Sequence, residues 1–376
     1  MGEIVPAPWG GHLVTGFETC NQILRSREWL VPDFDWQSRQ TDTARWQATG
    51  TREMSKTLMR LNPPEHTRQR RSLGNLFDRN TIEDLRPQVD AHVTALLDRF
   101  DEQLRSGEAD FVQIVGDLLP ARTIGGWLGI PEQDDQYLLQ LTHDQAHAHE
   151  LLPKSSELAL SAQATVELRT YFTELVRDRR AHLGDDVLSH WIRVWDELEP
   201  DRETADEMVY VLTMFVTVAS LETTATLLSV VVWLLLQEPA RWDWLRRNPE
   251  HIDDAIEEVL RYDPPIGLNS RVAAHDLELA GVPLPKDSMV HVLYGAANHD
   301  PRVNDDPHRF DILRRGNHLT FGGGIHYCLG AALARLEART LLTRLLERFP
   351  TLRVATPPTY EPRMVFRRVR TLGLAL

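Results

Sequence analysis

One stretch of the sequence, residues 318–340, constrains the fold most, because a glycine-rich loop runs through a cysteine directly into a helix. Gly322, Gly323 and Gly324 free the backbone for tight or left-handed turns, and residues 331–337 are all good helix formers. Cys328 is therefore predicted to lie at a helix N-terminus. There the unpaired amides and the helix dipole stabilise a thiolate, which is a nucleophile or a soft, electron-donating metal ligand.

Three interpretations of Cys328 follow from this position. The first is a buried structural cysteine. The second is a phosphatase-like nucleophile, which needs an arginine that closes an anion-binding cradle. That arginine would fall at Ala334, so the signature is absent. The third is axial ligation of haem iron by the thiolate.

Six residues at fixed spacing favour the third interpretation. They match the pattern Phe-Gly-x-Gly-x-His-x-Cys-x-Gly and are Phe321, Gly322, Gly324, His326, Cys328 and Gly330. The segment thus resembles the haem-thiolate loop of the cytochrome P450 family. The resemblance implies that haem b binds here, with Cys328 as the proximal iron ligand. It also implies that Phe321 shields the sulfur, that His326 binds a propionate, and that Gly322 and Gly330 belong to the cofactor-binding loop.

Composition narrows the class of protein. With 376 residues, 42% hydrophobic and 26% charged, the chain can bury a large core. A net charge of -14 argues against nucleic-acid binding, which needs a basic surface. Only Cys20 and Cys328 are present, so no disulfide framework is expected, and Cys20 is predicted to be a small buried residue.

The longest apolar run, Met208 to Leu236, is predicted to be a buried central helix. It would extend roughly 44 Å, more than a bilayer core of about 30 Å, and Glu222 interrupts it. No basic start followed by an apolar core is evident near residue 1, so neither a signal peptide nor a membrane anchor is predicted. The N-terminus is expected to be short relative to the family.

The same helix carries a second chemical element. Val216, Ala219, Thr223 and Leu227 lie at spacings of three and four and so share one face. Glu222 and Thr223 resemble the family's acid-alcohol pair, which implies hydrogen bonding and proton delivery to bound dioxygen. Ser220 departs from the family pattern, which usually has glycine, and its side chain is expected to intrude where oxygen would bind.

His66 and Arg70 lie four apart on a helix that starts near Pro63 and Pro64. In isolation they indicate a solvated basic face. The family pattern has a His-x-x-x-Arg pair here, which implies that both side chains reach haem propionates, and Arg271 matches the third propionate-binding position.

Glu258 and Arg261 form a Glu-x-x-Arg pair on one helical face. Alone, such a pair indicates a minor surface ion pair. In the family it is buried and completed by the arginine of a later Pro-x-Arg-Phe, which Arg309 matches. We interpret the triad as structural support for the haem loop.

Six residues are predicted to line the substrate pocket by this resemblance: Val216, Ser220, Ile266, Leu268, Asn269 and Val365. The irregular stretch from Val31 to Leu61 is similar to the family's loop over the haem.

Three histidines, His143, His147 and His149, lie close together in the sequence. The first two have the spacing of metal ligands on a helix, but no third ligand is evident, so we interpret them as surface or pocket-wall histidines.

The resemblance implies one domain over 1–376, mainly α with a small β region, in the cytochrome P450 fold. The implied activity is oxidation of a small organic molecule or peptide in natural-product metabolism by a cytoplasmic, monomeric monooxygenase. Aryl coupling, cyclisation or nitration is one alternative, and a non-catalytic haem-thiolate sensor is another. Ferredoxin and ferredoxin reductase are the expected partners. The expected docking arginines are Arg68, Arg70, Arg71, Arg79, Arg335 and Arg339.

Overall fold

The computed structural model describes residues 3–40 and 43–376. Sixteen α-helices lie within them: α1 Phe17–Arg25, α2 Phe34–Ser38, α3 Ala44–Gln47, α4 Thr49–Met54, α5 Glu65–Ser72, α6 Arg79–Glu83, α7 Arg86–Leu104, α8 Leu118–Leu128, α9 Asp135–Gln145, α10 Ser155–Ala181, α11 Val187–Leu198, α12 Arg202–Leu236, α13 Pro239–Arg247, α14 Ile252–Tyr262, α15 Tyr294–Asn298 and α16 Ala331–Arg348. The strands are β1 Ile4–Pro6, β2 His12–Val14, β3 Trp29–Leu30, β4 Ala109–Asp110, β5 Leu268–Ala273, β6 Leu277–Leu279, β7 Val282–Leu284, β8 Met289–Leu293, β9 Arg353–Tyr360 and β10 Val369–Ala375. The predicted mainly helical fold with a small β region is confirmed.

The chain forms two compact units. The first unit comprises Met1–Leu30, Asp78–Leu119 and Thr223–Leu376, and the second comprises Val31–Phe77 and Pro120–Glu222. The boundary between them falls within α12, between Glu222 and Thr223.

The first unit contains the sheets. Five strands pair in the order β1-β2-β8-β5-β3, with β2 and β8 parallel and the other neighbours antiparallel. A three-stranded sheet has the order β4-β10-β9, and β6 pairs with β7. Apolar side chains of α1, β2 and β8 form a buried cluster with Tyr294 and Leu319, so the larger sheet and the start of the cysteine loop share one core.

The second unit is helical. Ion pairs connect its helices. Arg169 on α10 donates to Glu53 on α4 at 2.6 Å and to Glu207 on α12 at 2.6 Å. Arg68 on α5 donates to Glu199 at 2.8 Å.

Helix α12 accommodates polar residues by internal hydrogen bonds. The hydroxyls of Thr213, Thr217 and Ser220 donate to the carbonyls four residues earlier, at 2.8, 2.9 and 2.7 Å. By length and composition α12 could cross a membrane, but 78% of its apolar window is buried within the protein. This burial agrees with the predicted core helix.

Candidate haem-binding site

The cysteine loop is closed by its own backbone. The Cys328 amide donates to the Phe321 carbonyl at 2.9 Å, and the Gly322 amide donates to the Leu319 carbonyl at 2.7 Å. Gly322 has φ +71° and Gly324 has φ +63°, a conformation that glycine adopts without strain. The Cys328 side chain is exposed and precedes α16 by three residues. The sulfur is thus accessible in a loop whose shape is fixed.

Gly324 also permits close packing against α1. A Cβ at this position would lie 2.5 Å from the Leu24 carbonyl oxygen and 3.0 Å from the Arg25 Cα. Both are backbone atoms, which cannot move aside as a flexible side chain can. The loop therefore requires glycine here for its position as well as for its turn.

The Phe321 ring is held by a charged cluster that the sequence did not reveal. The Arg335 guanidinium lies 4.4 Å from the ring centroid and donates to Glu257 at 2.5 and 2.8 Å. Glu257 also bonds His318 at 3.1 Å. Burial alone would raise the pKa of Glu257, but the hydrogen bonds from Arg335 and His318 lower it to about 2. Arg335, expected at the docking face, thus has an internal partner. Arg339 likewise pairs with Asp253 at 2.5 Å.

Tyr294 connects the cysteine loop to β5. Its hydroxyl lies 3.6 Å from the position that a Cβ on Gly322 would occupy. Burial raises the pKa of Tyr294, while the charge of Arg271 and a hydrogen bond with Asn269 lower it. Arg271 is itself buried, which lowers its pKa, and it donates to the Ser270 carbonyl at 2.9 Å. Asn269 and Arg271, both predicted site residues, therefore interact with Tyr294, a residue that the sequence analysis did not identify.

The Glu-x-x-Arg pair is buried, but the arginine that joins it is not the one that the sequence predicted. Glu258 and Arg261 are each 1% exposed and form two hydrogen bonds, at 2.7 and 2.8 Å. The arginine that reaches Glu258 is Arg314, at 3.2 Å, and not Arg309. The Arg309 side chain is 65% exposed and pairs with Asp311 at 2.6 Å. A turn from Asp311 to Arg314 explains this, because it brings the Asp311 amide and the Arg314 guanidinium to the same carboxylate.

This buried pair supports the start of the cysteine loop through Asn298. Arg261 donates to the Asn298 carbonyl at 3.1 Å. The Asn298 side chain accepts from the Leu319 amide at 2.8 Å and donates to the Thr320 hydroxyl at 3.0 Å. Thr320 in turn donates to the Leu260 carbonyl at 2.6 Å. The residues just before Phe321 are thus fixed from both sides.

A family model described as Cytochrome P450 matches residues 149–373, more than half of the chain. The chain belongs to the cytochrome P450 family. It is 37% identical over 293 residues to 6-deoxyerythronolide B hydroxylase of Saccharopolyspora erythraea, a match that covers 77% of this chain and 70% of that protein.

Solved structures of the family are similar throughout the chain. One is P450BioI in complex with hexadec-9Z-enoic acid ligated acyl carrier protein, at 30% identity and a TM-score of 0.87, covering 97% of this chain and 92% of that one. Another is CxnD, described as the enzyme for C-S bond formation in chuangxinmycin biosynthesis, at 30% identity and a TM-score of 0.85, covering 97% and 88%. This cytochrome P450 is thus a haem-dependent monooxygenase of the bacterial type.

Family membership implies a haem-thiolate cofactor, and the residues present fit one. Cys328 is exposed at the end of a rigid loop, and the half-buried side chains of Phe321 and His326 lie in the same loop. Arg271 supplies a buried cation suited to a propionate. In the second unit, Ala219 on α12 is exposed although Val218 and Leu221 beside it are buried, and its small side chain would let a flat apolar ring approach the helix. Gly330 caps α16.

The predicted catalytic residues of this cytochrome P450 are adjacent on α12. Glu222 is buried at 2% exposure, and Thr223 is half-buried. Ser220 is also half-buried, and its hydroxyl is turned back to the Val216 carbonyl. Val216 itself is buried. The serine that replaces the usual glycine therefore adds bulk, but its donor is already engaged in the helix.

His66 and Arg70 share one face of α5 in the second unit. His66 is buried, and both burial and the neighbouring charge of Arg70 lower its pKa. A neutral imidazole is thus favoured at His66, and it can donate a hydrogen bond from either ring nitrogen, depending on the tautomer. The binding of propionates by this pair stays a prediction.

The predicted pocket residues of the first unit meet at a backbone contact. The Gly267 amide donates to the Val365 carbonyl at 2.8 Å, and Ile266 pairs with Phe366 in an antiparallel bridge. A Cβ on Gly267 would lie 2.8 Å from the Met364 carbonyl oxygen, so glycine is required. Leu268, the first residue of β5, is buried.

The structure also bears on Cys20 and on the metal site considered at His143, His147 and His149. Cys20 is buried and donates to the Val14 carbonyl at 3.3 Å, and burial raises its pKa to about 12, in agreement with a structural cysteine. Within residues 3–40 and 43–376, no group of three or more His, Cys, Asp or Glu side chains could hold a metal ion.

Proposed function

We propose that this cytochrome P450 binds haem b non-covalently through Cys328 and uses dioxygen to oxidise a small organic molecule in natural-product biosynthesis. The single observation that carries the proposal is the rigid, exposed Cys328 loop, closed by the bond between the Cys328 amide and the Phe321 carbonyl at 2.9 Å. The similarity to 6-deoxyerythronolide B hydroxylase supports the proposal of a role in natural-product biosynthesis.

When bound, the haem supplies dioxygen activation, and the electron-rich thiolate favours cleavage of the O–O bond. Thr223 would donate a hydrogen bond toward the oxygen site, and Glu222 would supply protons from within α12. Glu222 is buried, so its carboxyl group is shielded from bulk water. In the first unit, Arg271 and His326 would bind propionate, and Ile266, Leu268, Asn269 and Val365 would orient the substrate. In the second unit, His66 and Arg70 are the proposed propionate-binding pair.

The test is a spectrum followed by labelled turnover. The reconstituted protein, reduced under carbon monoxide, should show the red-shifted absorption of sulfur-ligated haem. Turnover under ¹⁸O₂ with a surrogate ferredoxin and a compound library should then give products that contain one labelled oxygen. A colourless protein or an unshifted carbon monoxide complex would refute the haem-thiolate assignment.

The second candidate is an oxidation that adds no oxygen, such as aryl coupling or ring formation. Ser220 favours it, because its side chain occupies a half-buried position of α12 where the family usually has no side chain. CxnD, a similar structure, is described as forming a C-S bond. In the labelled experiment this candidate predicts product without ¹⁸O.

Electrons must come from redox partners, and we propose a ferredoxin with its reductase. The chain is also proposed to act as a cytoplasmic, monomeric single domain. Arg68, Arg335 and Arg339 have acidic partners within the chain, so the docking proposal is tested at Arg71. Arg71 and Arg79 are exposed.

Arg71→Glu is expected to slow reduction by a ferredoxin several-fold at low salt, because a repulsive charge would replace an attractive one at the encounter surface. The difference should shrink as salt screens the interaction. Stopped-flow reduction rates measure it. Arg177→Glu, at a side chain that is 72% exposed on α10, is the matched control. Equal rates for the wild type and Arg71→Glu would reject this docking face.

A further inference from the structure

Arg271 is a buried cation without an acidic partner. The side chain, on β5, is 3% exposed, and its Nη1 donates to the Ser270 carbonyl at 2.9 Å. Among residues 3–40 and 43–376, no carboxylate pairs with it, and the group whose charge acts on it is Tyr294. A guanidinium has more donors than this one bond uses, and a buried charge without a counter-charge is costly. An anionic ligand beside Arg271 would balance the charge.

Strand pairing brings Tyr294 to the same side of the sheet as Arg271. Asn269 and Arg271 lie two residues apart on β5 and so share one face. Asn269 lies opposite Val292 on β8, and Tyr294 follows two residues after Val292. The Tyr294 amide donates to the Gly267 carbonyl at 3.0 Å, which continues the pairing beyond β8. The Tyr294 side chain is also 3% exposed, so a second polar group is buried beside the arginine.

The Tyr294 hydroxyl accepts a hydrogen bond and donates none within the described part of the chain. Its partner is the Asn269 side chain. The Asn269 Oδ1 already accepts from the Ser270 amide at 2.8 Å, so an N–H of the Asn269 amide faces the phenol. The pKa of Tyr294 agrees with this direction, because burial raises it while the charge of Arg271 and the hydrogen bond from Asn269 lower it. The phenol O–H therefore remains to be donated.

The same hydroxyl reaches the cysteine loop. It lies 3.6 Å from the position that a Cβ on Gly322 would occupy. The charge of Cys328 also contributes to the pKa of Tyr294, which it raises. A phenol O–H and a guanidinium thus lie together beside the loop that is proposed to hold the haem. Buried donors are normally paired, and a carboxylate accepts hydrogen bonds from both of these groups.

We propose that Tyr294 donates a hydrogen bond to a haem propionate, alongside Arg271, and that Asn269 orients the Tyr294 hydroxyl. The proposal deepens the proposed function and rests on it, because it needs haem bound beside the cysteine loop. A hydrogen bond to a carboxylate is charge-assisted and stronger than one between neutral groups. One N–H of the Asn269 amide orients the phenol, and the second remains for the substrate pocket proposed above.

The experiment removes the hydroxyl and keeps the ring. Tyr294→Phe should release haem b to apomyoglobin roughly tenfold faster than the wild type, because a hydrogen bond to a charged group is lost. With the dimethyl ester of haem, which has no carboxylate, the two proteins should differ by less than about twofold. The Raman band of the propionate bending motion should also shift in Tyr294→Phe when haem b is bound.

Tyr262→Phe is the matched control. Tyr262 is a half-buried tyrosine of the same unit, and its ring packs against Phe310 with the centroids 5.6 Å apart. Its haem release and its Raman band should equal those of the wild type. Asn269→Ala keeps the phenol but removes the group that orients it, so haem release should accelerate by less than in Tyr294→Phe.

Three outcomes would overturn the proposal. The first is unchanged haem release in Tyr294→Phe. The second is an equal acceleration with haem b and with its dimethyl ester, which would make the role of the hydroxyl purely structural. The third is an unchanged Raman band, which would leave a carboxylate of the substrate as the acceptor. Failure of the proposed function is distinguishable, since it appears as an unshifted carbon monoxide complex of the wild type, whereas haem release and the Raman band report on the propionates.

Discussion

Cys328→Ser is expected to abolish both the red-shifted absorption of the reduced carbon monoxide complex and product formation. A serine hydroxyl has nearly the same size but does not ionise near neutral pH, so the electron-rich sulfur ligand is lost while the loop keeps its shape. The spectrum and product yield of the reconstituted variant measure the effect.

The chain provides its own control in its other cysteine. Cys20 is buried against the Val14 carbonyl, so Cys20→Ala should lower stability slightly and leave the spectrum unchanged. If Cys328→Ser kept the shifted absorption, or if Cys20→Ala lost it, the assignment of the ligand would be wrong.

Glu258→Gln is expected to destabilise the protein by about 3–5 kcal/mol, the usual effect of removing one partner of a buried ion pair. Glu258 accepts hydrogen bonds from Arg261, Arg314 and the Asp311 amide. The amide would leave the buried guanidinium of Arg261 and the half-buried guanidinium of Arg314 without their counter-charge. Urea unfolding followed by fluorescence measures the loss, and haem content should fall with it, because this network fixes Leu319 and Thr320.

The matched control is Arg309→Gln, the arginine that the sequence motif indicated. Its side chain is 65% exposed, so the change should alter stability by no more than about 0.5 kcal/mol. Equal losses in Glu258→Gln and Arg309→Gln would contradict the network as the structure has it.

Arg309 and Arg314 show which contacts a local sequence motif can predict and which it cannot. Pro307, Arg309 and Phe310 match a family motif, but the turn that begins at the next residue, Asp311, decides which guanidinium reaches Glu258. A motif records only spacing along the chain, whereas the contact between Arg314 and Glu258 depends on the turn in the backbone.

The mainly helical fold and the family could be predicted because their signals are short-range. The cysteine loop is a six-residue pattern, and the buried helix α12 follows from an apolar run. Tyr294 and Glu257 could not be predicted in the same way. Each acts through residues far away in sequence, and neither residue type is unusual at its position.

Ser220 illustrates a second limit. Its presence in place of glycine was visible in the sequence, and its side chain was expected to intrude where oxygen would bind. The direction of its hydroxyl was not visible. Helical geometry places the Val216 carbonyl within reach, and the hydroxyl bonds it at 2.7 Å.

The contact between Gly267 and the Met364–Phe366 segment has an evolutionary consequence. Its geometry is set by main-chain atoms: an amide-carbonyl bond on one side and a carbonyl too close for any Cβ on the other. These hydrogen bonds form between main-chain atoms, whichever side chains stand at Ile266 and Val365. If Ile266 and Val365 line the substrate pocket as proposed, substitution of their side chains can change which substrate is accepted while these main-chain contacts remain.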